Sequence, residues 1–246
     1  MMNGPRHYHN LSKEATDLLY KYYSNFSRIS HTGANRRYEI ALPLSLFLSF
    51  KSKELAPGLK TIFSCVVPDK RSGMVELQYS HKYAAISTSI GLTAKPIVNF
   101  SGVTGNNTVA VGTDVSFDTA SGTSNNYNVA LSFSNFDFNA SLTLNDKADT
   151  LTATCYHTVN LLTNTAVGAE FKHRFSSNNN SLTIGTQHSL DPLTMVKARV
   201  NNAGKVSALL QYQWRPKSVY IISVEVDTRA ITKIPKFGLS FQRVQP

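Results

Sequence analysis

The chain has 246 residues, a formal net charge of +10, 41% apolar residues and only 16% charged ones. A soluble surface usually carries about 25–35% charged residues. Here Ser, Thr and Asn supply the polar material instead, which argues against an ordinary soluble globule and suits a wall with lipid on one side and water on the other.

From Met1 to Tyr23, Leu11, Ala15, Leu18, Leu19 and Tyr22 recur at helical spacing, with Ser12 as a candidate N-cap and Gly4-Pro5 as a flexible lead-in. The pattern predicts a short amphipathic helix. No apolar run follows the N-terminal basic residues, so no secretory signal is expected. His7-Tyr8-His9 is the only close histidine pair, and no third ligand stands nearby in sequence. A metal site is therefore not expected there.

The stretch from Asn35 to Lys53 fits neither a helix nor a clean strand. Leu42, Leu44, Leu46 and Leu48 are spaced by two, but Ser45, Phe47 and Ser49 make a poor polar face. It reads either as a lone strand or as an unpaired, aggregation-prone segment.

From Gly58 onward the dominant period is two. Val75, Leu77 and Tyr79 alternate with Glu76, Gln78 and Ser80. Tyr127, Val129, Leu131 and Phe133 alternate with Asn128, Ser132 and Ser134, and the rhythm recurs to Phe237, Leu239 and Phe241. Turn signals punctuate it, among them Asn145-Asp146-Lys147, Asn178-Asn179-Asn180, Asp191-Pro192 and Asn201-Asn202-Ala203-Gly204. The spacing predicts about 14 strands after Gly58, joined mostly by hairpins. A sandwich would show charged outer faces, whereas this polar phase is largely Ser, Thr, Asn and Gly. The reading is all-β: a transmembrane antiparallel β-barrel. No stretch reaches the roughly 20 apolar residues of a membrane helix, but barrel strands need only about 9–11.

Chemistry for catalysis is missing from the sequence. No phosphate-cradling Gly-rich loop, serine elbow or convincing acid pair appears, so neither an enzyme nor a cofactor is expected. Cys65 and Cys155 sit in the apolar phase of their segments and read as inert thiols. The spread of Lys and Arg along the chain, without a stripe or block, argues against nucleic acid as a partner. A positive field inside a pore would use the same charge to concentrate anions.

Several stretches closely resemble the voltage-dependent anion channel of the mitochondrial outer membrane in its plant form. They include Val67-Pro-Asp-Lys-Arg-Ser-Gly73, Gly112-Thr-Asp-Val-Ser-Phe-Asp-Thr119, Ala140-Ser-Leu-Thr-Leu-Asn-Asp-Lys147, Val196-Lys-Ala-Arg-Val-Asn-Asn202 and Trp214-Arg-Pro-Lys-Ser218. The match runs almost continuously from about Leu55 to Gly238, and Ala15-Thr-Asp-Leu-Leu-Tyr-Lys21 is similar to the family's N-terminal helix. The resemblance implies a barrel of 19 strands with that helix lodged in the pore. It implies voltage-dependent, weakly anion-selective passage of adenine nucleotides such as ATP and ADP, other small anions and ions. The implied partners are the lipid bilayer, these metabolite anions and, if subunits associate, further copies of the chain. Lys13 and Lys21 match basic positions of the family's pore helix. On the strands, alternation adds Lys172, Arg174, Lys197 and Arg199 as lumen-facing candidates, with contact to lipid headgroups as the competing reading.

Three regions follow: 1–23 the pore-helix segment, 24–56 a divergent region, and 57–246 the barrel strands. Ser27–Gly33 could be a remnant of the family's first strand. The strands that should come next are missing, and Arg36–Lys53 is unrelated to them. The deficit is roughly 30 residues, or about three strands, leaving about 14–16. The replacement reads as translated intron or a splicing or gene-model error, for which the transcript is the test. An open edge in hydrocarbon would leave backbone groups unsatisfied, so a shortened barrel must re-close or have its edge covered. A family member that inserts without forming a normal pore is the alternative function.

Overall fold

A computed structural model describes residues 5–23, 26–27, 46–51, 58–67, 73–93, 96–215, 218–229 and 235–243. A 3-10 turn at Tyr8–Asn10 leads into α1 (Lys13–Leu19). The strands are β1 (Phe26–Ser27), β2 (Leu46–Lys51), β3 (Leu59–Val67), β4 (Met74–Ser80), β5 (Ala84–Gly91), β6 (Ile97–Gly105), β7 (Val109–Asp118) and β8 (Thr123–Ser134). They continue with β9 (Phe138–Asn145), β10 (Thr150–Asn160), β11 (Thr165–Arg174), β12 (Asn179–Asp191), β13 (Thr194–Asn201), β14 (Lys205–Arg215), β15 (Ser218–Asp227) and β16 (Lys236–Arg243). The 14 strands expected after Gly58 are β3 to β16. The 16 strands form one sheet in the order β1-β16-β15-β14-β13-β12-β11-β10-β9-β8-β7-β6-β5-β4-β3-β2.

The alternation decides which residues face where. In β7, Val109, Val111, Val115 and Phe117 are exposed, while Ala110 and Gly112 are buried. Phe100 is 52% exposed, whereas the serines Ser87, Ser101, Ser132, Ser207 and Ser223 are all buried. A water-soluble protein does the reverse. In β7 and β11, every Asp, Glu, Lys and Arg falls in the phase opposite the large apolar side chains. No helix among the described residues is long and apolar enough to cross a membrane; the strands carry the lipid-facing surface.

The antiparallel register keeps the two phases aligned from strand to strand. Ala110 stands opposite Ser132 and Val111 opposite Leu131 in β7–β8, and Ser101 stands opposite Ser87 in β5–β6. Bulges at Ser116/Phe117, Ser189/Asp191 and Gln213/Arg215 break the phase only near strand ends.

Part of the ambiguous stretch is a strand. β2 runs antiparallel to β3, with Leu46 opposite Val67 and Lys51 opposite Ile62. Its period-two leucines pair rather than standing alone. The remainder of Arg36–Lys53, like Gly4 and the Arg28–Gly33 part of the proposed remnant, lies outside the described residues. Phe26 and Ser27 form β1 and pair with Gly238 and Phe237 of β16.

The chain divides into two compact units. The first is drawn from Met1–Lys13, Leu44–Ala153 and Lys172–Asn179, the second from Glu14–Pro43, Thr154–Phe171 and Asn180–Pro246. In each, part of the N-terminal segment packs on the polar phase of the strands, called the inner face below.

Candidate functional site

In the first unit, Tyr8 and Leu11 lie on a patch of small residues. Leu11 clusters with Ala85, Val103, Ala110 and Ala130, and Tyr8 packs against that cluster. Gly112 completes it: a Cβ there would stand 3.0 Å from the Tyr8 ring and 3.3 Å from Leu11 Cδ1. An inner face of Ser and Thr would hold these side chains farther off, so the small residues form a socket. Burial pushes the Tyr8 phenol up to about 12, with Asp114 adding to the effect. His7 hydrogen-bonds through Nε2 to Ser80 Oγ at 3.0 Å and stacks on His9. Burial, with His9 beside it, lowers the His7 pKa below 6.5. A cavity of about 470 Å³ opens next to this segment, lined by Glu76, Asp114, Asn99 and several Ser residues.

In the second unit, a separate patch of small residues receives α1. Leu18 and Leu19 are fully buried against Ala166, with Tyr156 alongside. Gly168 and Gly185 face them, and a Cβ on Gly185 would lie only 2.7 Å from Leu19 Cδ2. Tyr23 is buried with Leu209 and Ile221. Its phenol is pushed up to about 12 by burial, against the opposing pull of Arg199. The helical spacing points to Tyr22, but α1 ends at Leu19 and the chain turns through Tyr22 at φ 73°. The left-handed residue redirects the chain, so Tyr23 takes the buried place and Tyr22 only borders it. Tyr20 donates its hydroxyl to Glu170 Oε1.

The six basic residues that the sequence points to divide by location and by partner. Lys13 is exposed at the start of α1. Lys21 is exposed, pairs with Asp17 at 3.4 Å and lies over the Tyr22 ring. Lys172 and Arg174 fall in the inward phase of β11. Arg174 sits at the strand end and reaches Asp149 at 3.5 Å and Asp146 at 3.8 Å in the turn after β9. Lys197 is buried and donates from Nζ to the Asp17 carbonyl at 3.2 Å. Arg199 donates from Nη1 to the Leu19 carbonyl at 2.8 Å and pairs with Glu225 at 3.4 Å.

Sequence reasoning passed over Glu170, Glu225 and the glycines 112, 168 and 185. The signal was present: a glycine in the polar phase of a strand marks a close approach by something else. Among the described residues no group of three His, Cys, Asp or Glu could hold a metal ion. What the arrangement offers is a polar wall with a short helix seated on it.

The comparisons with known proteins agree on what kind of wall this is. The family model described as eukaryotic porin matches residues 29–238. The chain is 54% identical over 272 residues to the mitochondrial outer membrane protein porin of 36 kDa of Solanum tuberosum, covering 98% of both chains. It is 50% identical over 271 residues to mitochondrial outer membrane protein porin 1 of Arabidopsis thaliana, and 47% identical over 271 residues to the outer plastidial membrane protein porin of Pisum sativum, again with 98% of both covered. These aligned lengths exceed the 246 residues of this chain, so the relatives carry internal residues that it lacks. Among solved structures, two mutants of Rhodopseudomonas blastica porin align at a TM-score of 0.60 with 11% and 12% identity. They cover 80% and 81% of this chain and 88% and 90% of theirs, a likeness of fold alone. The inside-out strands, the antiparallel sheet and these matches give one conclusion: the chain is a membrane-spanning antiparallel β-barrel protein that belongs to the eukaryotic porin family, a family of channels and not of enzymes.

Proposed function

We propose that this chain is a passive channel of the mitochondrial outer membrane, weakly anion-selective and voltage-dependent, that passes adenine nucleotides and other small metabolite anions. The observation that carries the reading is the polarity of the strands. Their apolar phase is exposed while Ser, Thr and the charged side chains share the other phase with the N-terminal segment. Such a lumen conducts by diffusion, without chemistry, and fixed positive charge in it favours anions. Lys13, Lys21, Lys172, Arg174, Lys197 and Arg199 are the side chains we assign to the lumen. The regions 1–23, 24–56 and 57–246 serve as helix segment, divergent segment and barrel strands. The lipid bilayer is the first partner, and contact between copies of the chain would be made within it.

A second reading is favoured by one specific observation, the internal residues present in the relatives and lacking here. On that reading the chain inserts without forming a normal pore. Planar-bilayer recording on refolded, monodisperse protein separates the two. The channel reading expects discrete conductance steps that fall at high voltage of either sign, with a reversal potential favouring anions in a salt gradient. Folded protein that inserts and conducts nothing would overturn it. Fractionation of plant cells is expected to place the chain with mitochondria; recovery in the plastid envelope alone would overturn the assignment of membrane.

A further inference from the structure

α1 has seven residues. A helix that short does not hold itself together in water, so its order depends on what it is docked to. The carbonyls of its last turn also lack intrahelical donors. β13 supplies two of them, Lys197 to the Asp17 carbonyl and Arg199 to the Leu19 carbonyl. Positive charge is favoured at that end of a helix.

Arg199 does more than cap. Its guanidinium carbon lies 4.3 Å from the centre of the Tyr23 ring and 5.3 Å from that of Tyr20, the residues that carry the chain out of α1. Nη2 pairs with Glu225, and Nε donates to Ser207 Oγ at 3.3 Å. Glu225 is itself fixed by Lys236 Nζ at 2.9 Å and by the Ser207 hydroxyl. One planar, five-donor group thus joins a helix carbonyl, a carboxylate and two aromatic faces. An ammonium is a point charge and cannot meet all of these at once.

We propose that Arg199, oriented by Glu225, is the latch that holds the C-terminal end of α1 on β13 and so sets how readily the conducting channel closes. This rests on the channel reading above. Arg199 is a positioning residue: its charge is engaged by Glu225 and the Leu19 carbonyl, so it contributes little to the choice of permeant ion.

The test is single-channel recording on Arg199→Lys, Arg199→Gln and Glu225→Gln, with Lys60→Gln as the control. Lys60 lies on the inward phase of β3. Losing a hydrogen bond to a charged group shifts an equilibrium by about ten-fold or more. Closing at fixed voltage is expected to rise about ten-fold in Arg199→Lys and Arg199→Gln, and by a smaller factor in Glu225→Gln. Arg199→Lys should leave the reversal potential in a salt gradient unchanged, while Lys60→Gln should move the reversal potential and leave the closing rate alone. Wild-type closing kinetics in Arg199→Lys, or a selectivity change without a kinetic one, would overturn the latch. If the wild type inserts but does not conduct, the channel reading fails and the latch is read by amide hydrogen exchange over residues 13–23 in detergent. Exchange at least ten-fold faster in Arg199→Gln then supports docking by Arg199, and unchanged exchange overturns it.

Discussion

Replacing Gly185 by Ala tests whether the inner face is shaped for α1. The added Cβ would lie 2.7 Å from Leu19 Cδ2, 3.0 Å from Leu18 Cδ2 and 3.0 Å from the Ala198 carbonyl oxygen. Carbon atoms pack best at about 3.5–4.0 Å, so something must move by most of an ångström. A leucine tip in open space would swing aside at little cost. Leu19 is fully enclosed, and the Ala198 oxygen belongs to a sheet. The strain therefore falls on the seat of the helix. Overpacking of this kind costs about 1–3 kcal/mol, which weakens docking by about 5- to 140-fold. The assay is amide hydrogen exchange over residues 13–23, because a helix of this length melts when it leaves its seat. Gly102→Ala is the matched control, since a Cβ there meets nothing within 4 Å. Leu19→Ala in the Gly185→Ala background removes the clashing methyls, so the pair should cost at least about 0.5 kcal/mol less than the sum of the single changes. Exchange in Gly185→Ala within two-fold of Gly102→Ala, or strict additivity with Leu19→Ala, would refute the socket.

The other expectations concern charge. His7 docks neutral, its pKa lowered below 6.5 chiefly by burial and then by His9, with Glu76 opposing and Lys60 assisting. The undocked segment therefore takes up a proton first as pH falls through 6.5, and docking of residues 5–11 weakens from there down to the lowered value and is pH-independent above it. Exchange over that segment, corrected for its intrinsic pH dependence, should rise on acidification, and His7→Gln should abolish the rise; persistence of the rise in His7→Gln would assign it to another group. Val129 lies on the exposed phase midway along β8, so Val129→Lys should lower stability in lipid vesicles by about 2–4 kcal/mol. A similar loss for the inward-phase Thr143→Lys, measured by urea unfolding, would contradict the assignment of faces. Lys13→Glu should weaken anion preference in the reversal potential, and an unchanged potential would remove Lys13 from the selectivity set.

The strands were legible because a barrel in lipid writes its two faces as a period of two, and where the register is described its bulges lie near strand ends. Turn chemistry was legible too. Asp146 and Lys147 adopt positive φ in the turn after β9, as do Asn178 and Gly204 in theirs. The helix was legible in kind but not in extent. Its apolar spacing continues past Leu19 in the sequence, while the chain stops being helical there and turns at Tyr22. β2 was half legible, since Leu46 and Leu48 have strand spacing but no polar partner phase to fix a face. What the sequence could not show was the pairing of the N-terminal segment with its wall. Leu19 and Gly185, or Leu19 and Arg199, are far apart in the chain, and nothing local in either stretch announces the other.

That pairing also changes what the net charge of +10 means. Counted along the chain, the basic residues look like one field drawing anions. In the fold, many are already engaged. Arg174 faces Asp146 and Asp149, Lys21 faces Asp17, and Glu225 takes both Arg199 and Lys236. Hydrogen bonds from two Ser176 donors hold the Asp149 carboxyl below its ordinary value, so this partner of Arg174 stays charged in mildly acidic solution. Lys197 is directed at a carbonyl of α1. A cation with its counter-charge a few ångströms away projects little field beyond a Debye length of about 8 Å in physiological salt. On the anion-selective reading proposed above, Lys13 on α1 and Lys60 on the inward phase of β3, which make no ion pair among the described residues, are then better placed to act on a passing anion. On that proposal, selectivity would follow from which charges the fold leaves uncompensated, because Lys197 and Arg199 are already spent on carbonyls of α1.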